Sequence, residues 1–298
     1  MRPVGLPVPE AGDCVVDVEW TGISTGTERL LWDGRMPHFP GLEYPLVPGY
    51  ECVGRVRSAG GDSHLQPGAR VFVPGSRGFT DVRGLFGGAA EQLIAPANRL
   101  VELDEDSGEE SVLLALAATA VHAARRAGED ALPELIIGHG VLGRLLARVT
   151  MALGGAAPTV WETDSGRRQG DGGYPVISPT EDPRRDYKVV CDVSGDAGLV
   201  DTLVEHLSPG GRLVLAGFYH QPISFQFAPA FIRELDLRVA AEWQPADMQR
   251  AAALVASGEL SLADLITHRR PASDAAAAYR MAFGDPSCLK MILDWRSA

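Results

Sequence analysis

The sequence predicts an α/β protein of two domains, in which a β-rich domain precedes a doubly wound parallel-sheet domain. The chain has 298 residues, more than a single domain usually needs. Short apolar runs bounded by glycine and proline fill residues 14–100, a pattern typical of strands joined by turns. From Leu135 onwards, apolar runs of strand length alternate with helical patterns, which indicates parallel βαβ units.

The N-terminal elements are short strands followed by a helix. The runs CVVDVEW, ECVGRVRSAG, ARVFVPG and EQLIAPANRLVEL are rich in valine, isoleucine and phenylalanine and end at turn residues. They predict a compact, mostly β domain. The next stretch, SVLLALAATAVHAARRA, has the periodicity of a helix with a face of small residues.

The later elements alternate in type. ELIIGHGVLGRLLARVTMALGG predicts a strand, a glycine turn and a helix, and PTVWETD predicts a second strand. DYKVVCDVSG and GGRLVLAGFY have the length of buried strands, with the helical AGLVDTLVEHL between them. Two amphipathic helices, ADMQRAAALVASGEL and ASDAAAAYRMAFGD, and a closing strand, CLKMILDW, complete the prediction.

The composition excludes several classes of protein. The net charge of −12 and the absence of a basic stripe argue against a nucleic-acid partner, because phosphate binding needs clustered lysines and arginines. The sequence contains no run of about 18 apolar residues, which is the length that predicts a membrane span. The first residues lack the apolar core of a signal peptide, so we expect a cytoplasmic protein. The four cysteines are far apart in sequence and predict free thiols.

A G-x-G-x-x-G motif at Gly138, Gly140 and Gly143 follows an apolar strand and opens a helix. These glycines permit a tight turn, close approach of backbone amides to a pyrophosphate, and close helix–strand packing. Glu162 ends the next strand, where a carboxylate accepts hydrogen bonds from the adenosine ribose and repels a 2′-phosphate. The motif therefore predicts NAD as the cofactor. NADP stays an alternative because two arginines follow shortly after Glu162.

Further candidate cofactor contacts lie inside the glycine loop and at the ends of later strands, the edge at which open parallel sheets bind ligands. They are His139, Val141, Leu142, Ser194, Gly217 and Phe218. For His139 we expect a contact with the pyrophosphate. For the last three, ordinary turn residues are the alternative interpretation.

The motifs GISTGTE, VPGYECVGRV, TAVHA and SPGGRLVLAGF resemble those of the medium-chain dehydrogenase/reductase superfamily, and the resemblance extends over essentially the whole chain. It implies a GroES-like β-rich catalytic domain, residues 1–118 and 266–298, and a Rossmann NAD-binding domain, residues 119–265. It also places Thr119 near the nicotinamide. Members of the superfamily carry one or two further strands before the segment matching LPVPEAGDCVV, so we expect either a miscalled start or a pruned N-terminal sheet.

The resemblance also implies that this chain lacks the catalytic zinc typical of the superfamily. The first zinc cysteine of the family falls at Ser24 or beside it, the zinc histidine at Tyr50 and the third ligand near Ala115. A neutral hydroxyl is a poor zinc ligand, and alanine offers no ligand atom. The clustered cysteines of the family's structural zinc are missing as well. We therefore predict no metal ion.

Longer stretches, among them GISTGTERLLWDGRMP and VLAGFYHQPISFQFAPAFIRE, resemble the dehydrogenases of bacteriochlorophyll a synthesis in phototrophic bacteria. This resemblance implies NAD-dependent oxidation of the 3-(1-hydroxyethyl) group of a bacteriochlorophyllide, a magnesium bacteriochlorin, to 3-acetyl. One alternative is a zinc-free medium-chain alcohol or polyol dehydrogenase or reductase that acts on a smaller substrate. Another is a non-catalytic nucleotide-binding scaffold or pigment carrier.

Two expectations about partners follow from the same resemblance. In the superfamily, a segment like FYHQPISFQFAPAF builds a dimer contact or borders the substrate pocket, so a homodimer is one expected state. Because the pigment is destined for membranes, a location at the periphery of the photosynthetic membrane is an alternative to a purely cytoplasmic one. No basic amphipathic helix supports that alternative.

Without zinc, another group must accept the proton of the alcohol. The candidates occupy the positions of the family's metal ligands, and they are Ser24, Thr25, Tyr50 and Glu51. We expect Tyr50 or Glu51 to hold the hydroxyl and accept its proton, with Ser24 or Thr25 as a relay. The alternatives are a phenol that only fills the zinc cavity, a structural carboxylate paired with an arginine, and a helix cap provided by Thr27.

A flat pigment requires flat apolar walls, for which aromatic residues in or near glycine- and proline-rich loops are candidates. They are Trp32, Phe39, Phe86 and Trp243, some of which we expect to belong to the core instead. His38, in a proline-rich loop, is a candidate ligand of the pigment's central magnesium. An exposed loop histidine is the alternative interpretation.

Overall fold

The computed structural model describes residues 1–38, 40–129, 131–169 and 172–296. The chain divides into two units, the first comprising Met1–Ala115 with Leu262–Ala298 and the second comprising Leu116–Ser261. The first unit is dominated by antiparallel strands, and the second alternates parallel strands with helices. The predicted fold class, a β-rich domain with a doubly wound parallel-sheet domain, is confirmed.

The elements follow the chain in this order. The N-terminal part forms β1 (Asp13–Ile23), α1 (Thr27–Trp32), β2 (Leu46–Val47), β3 (Cys52–Ala59), β4 (Arg70–Val73), β5 (Arg83–Gly84), β6 (Gln92–Pro96) and β7 (Val101–Glu102). Helix α2 (Leu114–Arg126) contains the boundary between the units. The second unit continues with β8 (Leu135–Ile137), α3 (Val141–Ala152), β9 (Thr159–Trp161), β10 (Val176–Ile177), β11 (Tyr187–Asp192), α4 (Val200–His206), β12 (Leu207–Leu215), α5 (Phe227–Ile232), β13 (Asp236–Val239) and α6 (Pro245–Ala256). The chain ends in the first unit with β14 (His268–Pro271), α7 (Ala275–Gly284) and β15 (Met291–Asp294).

The main sheet of the first unit is organised around β1. Its strand order is β14-β15-β1-β3-β4-β7, and β6 also pairs with β1. Val16 and Val18 point from β1 into the apolar core because side chains alternate between the two faces of a strand. β15 pairs antiparallel with β1, with Ile23 opposite Met291. This pairing brings the C-terminal part of the chain beside the turn that follows β1.

The sheet of the second unit has the strand order β10-β9-β8-β11-β12-β13, and all its neighbouring strands are parallel. The central strands carry apolar side chains that are fully buried, among them Leu135, Val190 and Leu213. That pattern is expected for a parallel sheet covered on both faces. Since the strands run in one direction, their carboxyl ends share one edge, and the glycine loop after β8 lies on it.

Strand β13 is an element that the apolar pattern did not predict. It forms one edge of the parallel sheet, and two of its four residues, Asp236 and Arg238, are charged. Its apolar residues Leu237 and Val239 are exposed, so the segment lacks the buried run that indicated the other strands. The four cysteines are buried and free, as predicted. Within residues 1–38, 40–129, 131–169 and 172–296, no helix combines the length and the apolarity that a membrane span requires.

Candidate active site

The glycine loop of the second unit is closely packed on one side and open on the other. Gly138 has a φ of +99°, and a Cβ on Gly143 would lie 1.9 Å from the Gly138 carbonyl oxygen. A Cβ on Gly140 would meet no atom within 4 Å. Gly143 is therefore required for packing, whereas the space at Gly140 is available to a ligand.

The N-terminus of α3 has the features of an anion-binding site. Gly140 is its N-cap, no side chain caps the helix, and its first turn contains no acidic residue. The backbone N–H groups of the first turn, which includes Val141, Leu142 and Gly143, therefore keep their hydrogen-bonding capacity for a ligand. Together with the open space at Gly140, this arrangement fits the pyrophosphate of a dinucleotide.

Glu162 lies beside the glycine loop, as the motif predicted. One of its carboxylate oxygens accepts a hydrogen bond from the His139 backbone N–H at 3.1 Å, and the other accepts one from the Asp164 N–H at 2.9 Å. Each carboxylate oxygen has a further lone pair, so Glu162 can still accept hydrogen bonds from ribose hydroxyls. The two backbone contacts fix the orientation of the carboxylate.

His139 departs from its expected contact with the pyrophosphate. Its imidazole is buried, with Nδ1 2.7 Å from the Arg167 carbonyl oxygen and Nε2 3.0 Å from the Tyr174 hydroxyl. Burial lowers the pKa of His139, which favours the neutral ring. Because both ring nitrogens are occupied, the side chain fixes the glycine loop to the segment that follows β9 and does not face a phosphate.

The later strand ends meet the glycine loop at the same edge. Ser194 follows β11, and its Cα lies within 3.5 Å of where a Cβ on Gly138 would be. A Cβ on Gly217 would lie 2.7 Å from the backbone nitrogen of Gly195, so these turns are in backbone contact. Phe218 is partly exposed at this edge.

Two further predicted residues of the second unit are not part of this group. Thr119 lies on α2, and Trp243 lies between β13 and α6; both are partly buried. Their predicted contacts with the nicotinamide and with the pigment stay predictions.

In the first unit, the turn after β1 holds a hydroxyl pair. Ser24 is buried, and the Tyr50 hydroxyl donates a hydrogen bond to Ser24 Oγ at 2.7 Å. The Phe86 ring packs edge-on against Tyr50, with ring centroids 5.5 Å apart. Burial, reinforced by the neighbouring Glu51, raises the pKa of Tyr50 well above its usual range. Thr25 is partly buried in the same turn, and in the described part of the chain it bonds to neither hydroxyl.

Glu51 forms a buried ion pair, which contradicts its expected role as a proton acceptor. The Lys290 ammonium donates to both carboxylate oxygens, at 2.8 and 2.6 Å, and to the Ile23 carbonyl oxygen at 3.2 Å. Both side chains are almost inaccessible to solvent. Gly22 permits this approach, since a Cβ there would lie 2.3 Å from Glu51 Oε2. The structural-carboxylate alternative is thus the better description, with a lysine in place of the expected arginine.

Glu28 is a buried carboxylate that the sequence analysis did not select. Its Oε1 accepts a hydrogen bond from the Ser24 backbone N–H at 3.0 Å, and its Oε2 accepts one from the Tyr279 hydroxyl at 2.8 Å. Burial raises the pKa of Glu28 to about 7. The available signal was its place at the end of GISTGTE, two residues before the apolar Leu30 and Leu31.

The helix-cap interpretation of Thr27 is wrong. Helix α1 has Gly26 as its N-cap, without a side-chain cap, and Thr27 is its first residue. Glu28, in the first turn of the helix, bonds a backbone N–H group before the helix instead, because its carboxylate accepts a hydrogen bond from the Ser24 N–H. The hydroxyl-rich turn is therefore held from inside α1, which leaves the Ser24 hydroxyl free to pair with Tyr50.

An aromatic group on the surface of the first unit includes one of the predicted pigment walls. The Trp32 ring, which is half exposed, stacks on Tyr279 with centroids 5.7 Å apart and planes 3° from parallel. Phe283 meets Trp32 edge-on. His38 is exposed, which agrees with the loop-histidine alternative. Phe39 lies outside the described residues.

The residues at the family's zinc positions do not fit that ion. Ser24 and Tyr50 offer neutral hydroxyls, and Ala115 is a buried alanine on α2. Among the residues that the structure describes, no group of three or more His, Cys, Asp and Glu side chains is arranged to hold a metal ion.

A β-rich unit that carries a hydroxyl pair, combined with a parallel-sheet unit that carries a dinucleotide-type glycine loop, defines a medium-chain dehydrogenase/reductase. The model of the alcohol dehydrogenase GroES-like domain matches residues 10–105. A solved alcohol dehydrogenase from Escherichia coli CFT073, complexed with NADH, has a TM-score of 0.83 and 19% identity, and the match covers 97% of this chain and 94% of that one. This likeness shows the fold.

Two relatives with high sequence identity define the family more narrowly than the fold does. The 2-desacetyl-2-hydroxyethyl bacteriochlorophyllide A dehydrogenase of Rhodobacter capsulatus is 59% identical over 296 residues, covering 99% of this chain and 94% of the relative. The protein of the same name from Cereibacter sphaeroides is 56% identical over 303 residues, covering 100% and 95%. The chain belongs to this family of medium-chain dehydrogenases, as the sequence motifs predicted, and is an oxidoreductase that acts on CH–OH groups.

The two glycines of the loop give a matched pair of substitutions. We expect Gly143→Ala to lower the melting temperature, because its Cβ would collide with the Gly138 carbonyl. Gly140→Ala should leave the melting temperature nearly unchanged and weaken cofactor binding, because its methyl group enters the open cradle. Differential scanning fluorimetry and calorimetric titration with NAD measure both effects. Equal melting temperatures for the two variants would contradict this packing.

The buried ion pair predicts a non-additive effect on stability. Lys290→Met leaves Glu51 as an unpaired buried carboxylate and should destabilise the protein by about 3–5 kcal/mol. The double variant Glu51→Gln/Lys290→Met should recover much of that loss, since no unpaired charge stays buried. Chemical denaturation followed by circular dichroism compares the variants. A single variant as stable as the double variant would show that the pair is not desolvated.

Proposed function

We propose that this protein oxidises the 3-(1-hydroxyethyl) group of a bacteriochlorophyllide to 3-acetyl in bacteriochlorophyll a synthesis, with NAD as the hydride acceptor and without catalytic zinc. The observation that carries the proposal is the Tyr50–Ser24 hydroxyl pair at the family's metal positions. It occurs in a chain that is 59% identical to a protein named for that pigment. In this proposal, residues 1–118 and 266–298 act on the alcohol, and residues 119–265 hold the cofactor.

Several features support NAD. The open cradle at Gly140 and the uncapped N-terminus of α3 suit a pyrophosphate, and Glu162 suits a ribose with a free 2′-hydroxyl. Of the two arginines after Glu162, Arg167 approaches Asp164 at 4.0 Å and Arg168 approaches Glu181 at 3.6 Å. These acidic neighbours oppose the binding of a 2′-phosphate. NAD, when bound, supplies the carbon that accepts hydride from the carbinol.

The hydroxyl pair is suited to hold and relay a proton. With its raised pKa, the Tyr50 phenol stays protonated at neutral pH, so its oxygen can accept a hydrogen bond from the substrate hydroxyl while its proton is donated to Ser24. The donors at the family's zinc positions do not suit a metal ion, which supports a route for the proton over protein oxygens. Among the described residues Thr25 makes no hydrogen bond to either hydroxyl, so the proposed relay runs through Ser24.

Trp32 and Phe86 are the proposed walls for the pigment. Trp32 presents a half-exposed ring stacked on Tyr279, and Phe86 packs against the Tyr50 phenol. Flat aromatic surfaces bury the face of a macrocycle without loss of many side-chain rotamers. Trp243 is proposed as a further contact from the second unit. His38 is exposed and stays a proposed ligand of the pigment's central magnesium.

We also propose a homodimer that forms through the second unit. β13 is an edge strand, and Val239 is exposed on it. Nearby in sequence, α5 exposes Phe227, Phe231 and Ile232. Unpaired edge groups and exposed apolar side chains suit an isologous contact between two copies. Sedimentation equilibrium of the purified protein tests this state, and a monomer at micromolar concentration would contradict it.

The proposed reaction can be observed directly. On incubation with NAD and a 3-(1-hydroxyethyl) bacteriochlorophyllide, we expect NADH to appear in step with the shift of the pigment's absorption band. Tyr50→Phe should lower kcat/KM by about 10²–10⁴-fold, because the relay loses its hydroxyl. Tyr44→Phe is the matched control, since the hydroxyl of this exposed tyrosine donates to the Leu31 carbonyl oxygen.

The same assay separates the alternatives. Oxidation of small polyols without oxidation of the pigment would favour the polyol dehydrogenase. Pigment binding without any reduction of NAD would favour the carrier. Either result would contradict the proposed function.

A further inference from the structure

The proposed relay needs a group that keeps the proton. Tyr50 can transfer a proton, but its raised pKa means that the phenol is not ionised near neutral pH. It therefore cannot be the group that finally keeps the proton. Glu51 is neutralised by two hydrogen bonds from the Lys290 ammonium. The group that finally accepts the proton is therefore another residue near the hydroxyl pair.

Glu28 has the surroundings of such a base. It is only 2% exposed, and two neutral groups, the Ser24 N–H and the Tyr279 hydroxyl, donate hydrogen bonds to it. Within the described residues no cation forms a salt bridge with it, in contrast to the buried Glu51. Protonation is more favourable for a buried carboxylate without a counter-ion than for one in an ion pair, because it removes an uncompensated buried charge.

The charged and titratable groups around Glu28 come from three segments. Tyr279 approaches from α7, Tyr50 and Glu51 approach from the chain directly before β3, and Lys290 approaches from the residue before β15. With both carboxylates ionised and the lysine charged, this buried cluster carries one excess negative charge. A proton on Glu28 makes the cluster neutral, which is the favoured state of charges removed from water.

We propose that Glu28 is the terminal proton acceptor of the reaction, reached through Tyr50 and Ser24. This inference rests on the proposed function and adds the destination of the proton. The carbinol C–H bond breaks with transfer of hydride to the cofactor as the C=O bond forms. The substrate hydroxyl proton passes to the Tyr50 oxygen, the Tyr50 proton passes to Ser24 Oγ, and the Ser24 hydroxyl proton passes to the Glu28 carboxylate. The cofactor is reduced, the alcohol becomes a ketone, and Glu28 becomes a neutral acid.

The direction of the observed hydrogen bonds agrees with this sequence of transfers. Tyr50 donates to Ser24 Oγ, and its oxygen, which also bonds the Thr27 side chain, has a second lone pair for the substrate hydroxyl. Glu28 Oε1 already accepts the backbone N–H of Ser24, at 3.0 Å. The carboxylate is therefore held beside the residue whose hydroxyl accepts from Tyr50.

The affinity of Glu28 for protons suits the task. Burial is the main cause that raises its pKa to about 7, and the charge of Glu51 adds to the effect. The Ser24 and Tyr279 hydrogen bonds and the Lys290 charge oppose it. A base works best when its pKa is near the pH of the reaction, because it is then both ionised and able to keep a proton.

The first test is the pH dependence of kcat/KM, measured with whichever alcohol the protein oxidises. Because Glu28 must be ionised to accept a proton, the wild-type rate should rise as the pH passes about 7. Glu28→Gln should lower kcat/KM by about 10²–10⁴-fold and abolish this rise. Tyr279→Phe removes a hydrogen bond that lowers the pKa of Glu28, so it should move the rise to higher pH.

The second test does not depend on turnover. Difference infrared spectroscopy of the wild type should show the carbonyl band of a buried carboxylic acid that disappears as the pH rises through about 7. The band should be absent in Glu28→Gln and should persist to higher pH in Tyr279→Phe. A wild-type pH profile retained in Glu28→Gln, or an unchanged carbonyl band in that variant, would overturn the proposal.

The two proposals fail in different ways. If the wild type leaves the pigment unchanged and oxidises another alcohol, the proposed function is contradicted. The pH profiles with that alcohol and the infrared bands would still test the role of Glu28. Pigment oxidation by Glu28→Gln at the wild-type rate would leave the function intact and remove Glu28 from the route. If Glu28→Gln fails to fold, Tyr279→Phe alone decides, because an unshifted rate profile and infrared band would contradict the proposal.

Discussion

The buried ion pair between Glu51 and Lys290 is the contact on which the first unit's site depends. It joins the segment before β3 to the segment before β15 directly beneath the turn that follows β1. The Lys290 ammonium also bonds the Ile23 carbonyl, so one cation fixes both the carboxylate and the end of β1. Two charges removed from water tolerate little displacement, because each loses its only compensation when the pair separates.

That constraint separates the roles of the two neighbouring carboxylates. Glu51 is held as a counter-ion by the Lys290 ammonium. Glu28 accepts hydrogen bonds from two neutral donors, the Ser24 N–H and the Tyr279 hydroxyl, and burial raises its pKa to about 7. Tyr50 precedes Glu51 in the sequence and donates a hydrogen bond to Ser24 Oγ, and the Ser24 backbone N–H bonds Glu28, so the hydroxyl pair adjoins both acids in the fold.

Parts of this arrangement follow from local sequence and others do not. The glycine loop and Glu162 were predictable because their spacing is set within one βαβ unit. Motif positions indicated Ser24, Thr25, Tyr50 and Glu51 as candidates, and the structure pairs Tyr50 with Ser24. The partners of the two acids did not follow, because Glu51 and Lys290 are 239 residues apart and Glu28 and Tyr279 are 251 apart. The pairing of β15 with β1 brings the C-terminal segment beside the end of β1. His139 was misjudged because its position in the loop does not reveal that Tyr174 and Arg167 occupy its ring nitrogens.

The central claim is that protein oxygens, and no bound cation, handle the proton of the alcohol. Elemental analysis of an active preparation, with its rate measured before and after exhaustive treatment with a chelator, tests that claim most directly. The account predicts far less than one zinc per chain and an unchanged rate of NADH formation. Stoichiometric zinc, with activity lost on chelation and restored when zinc is added back, would contradict it.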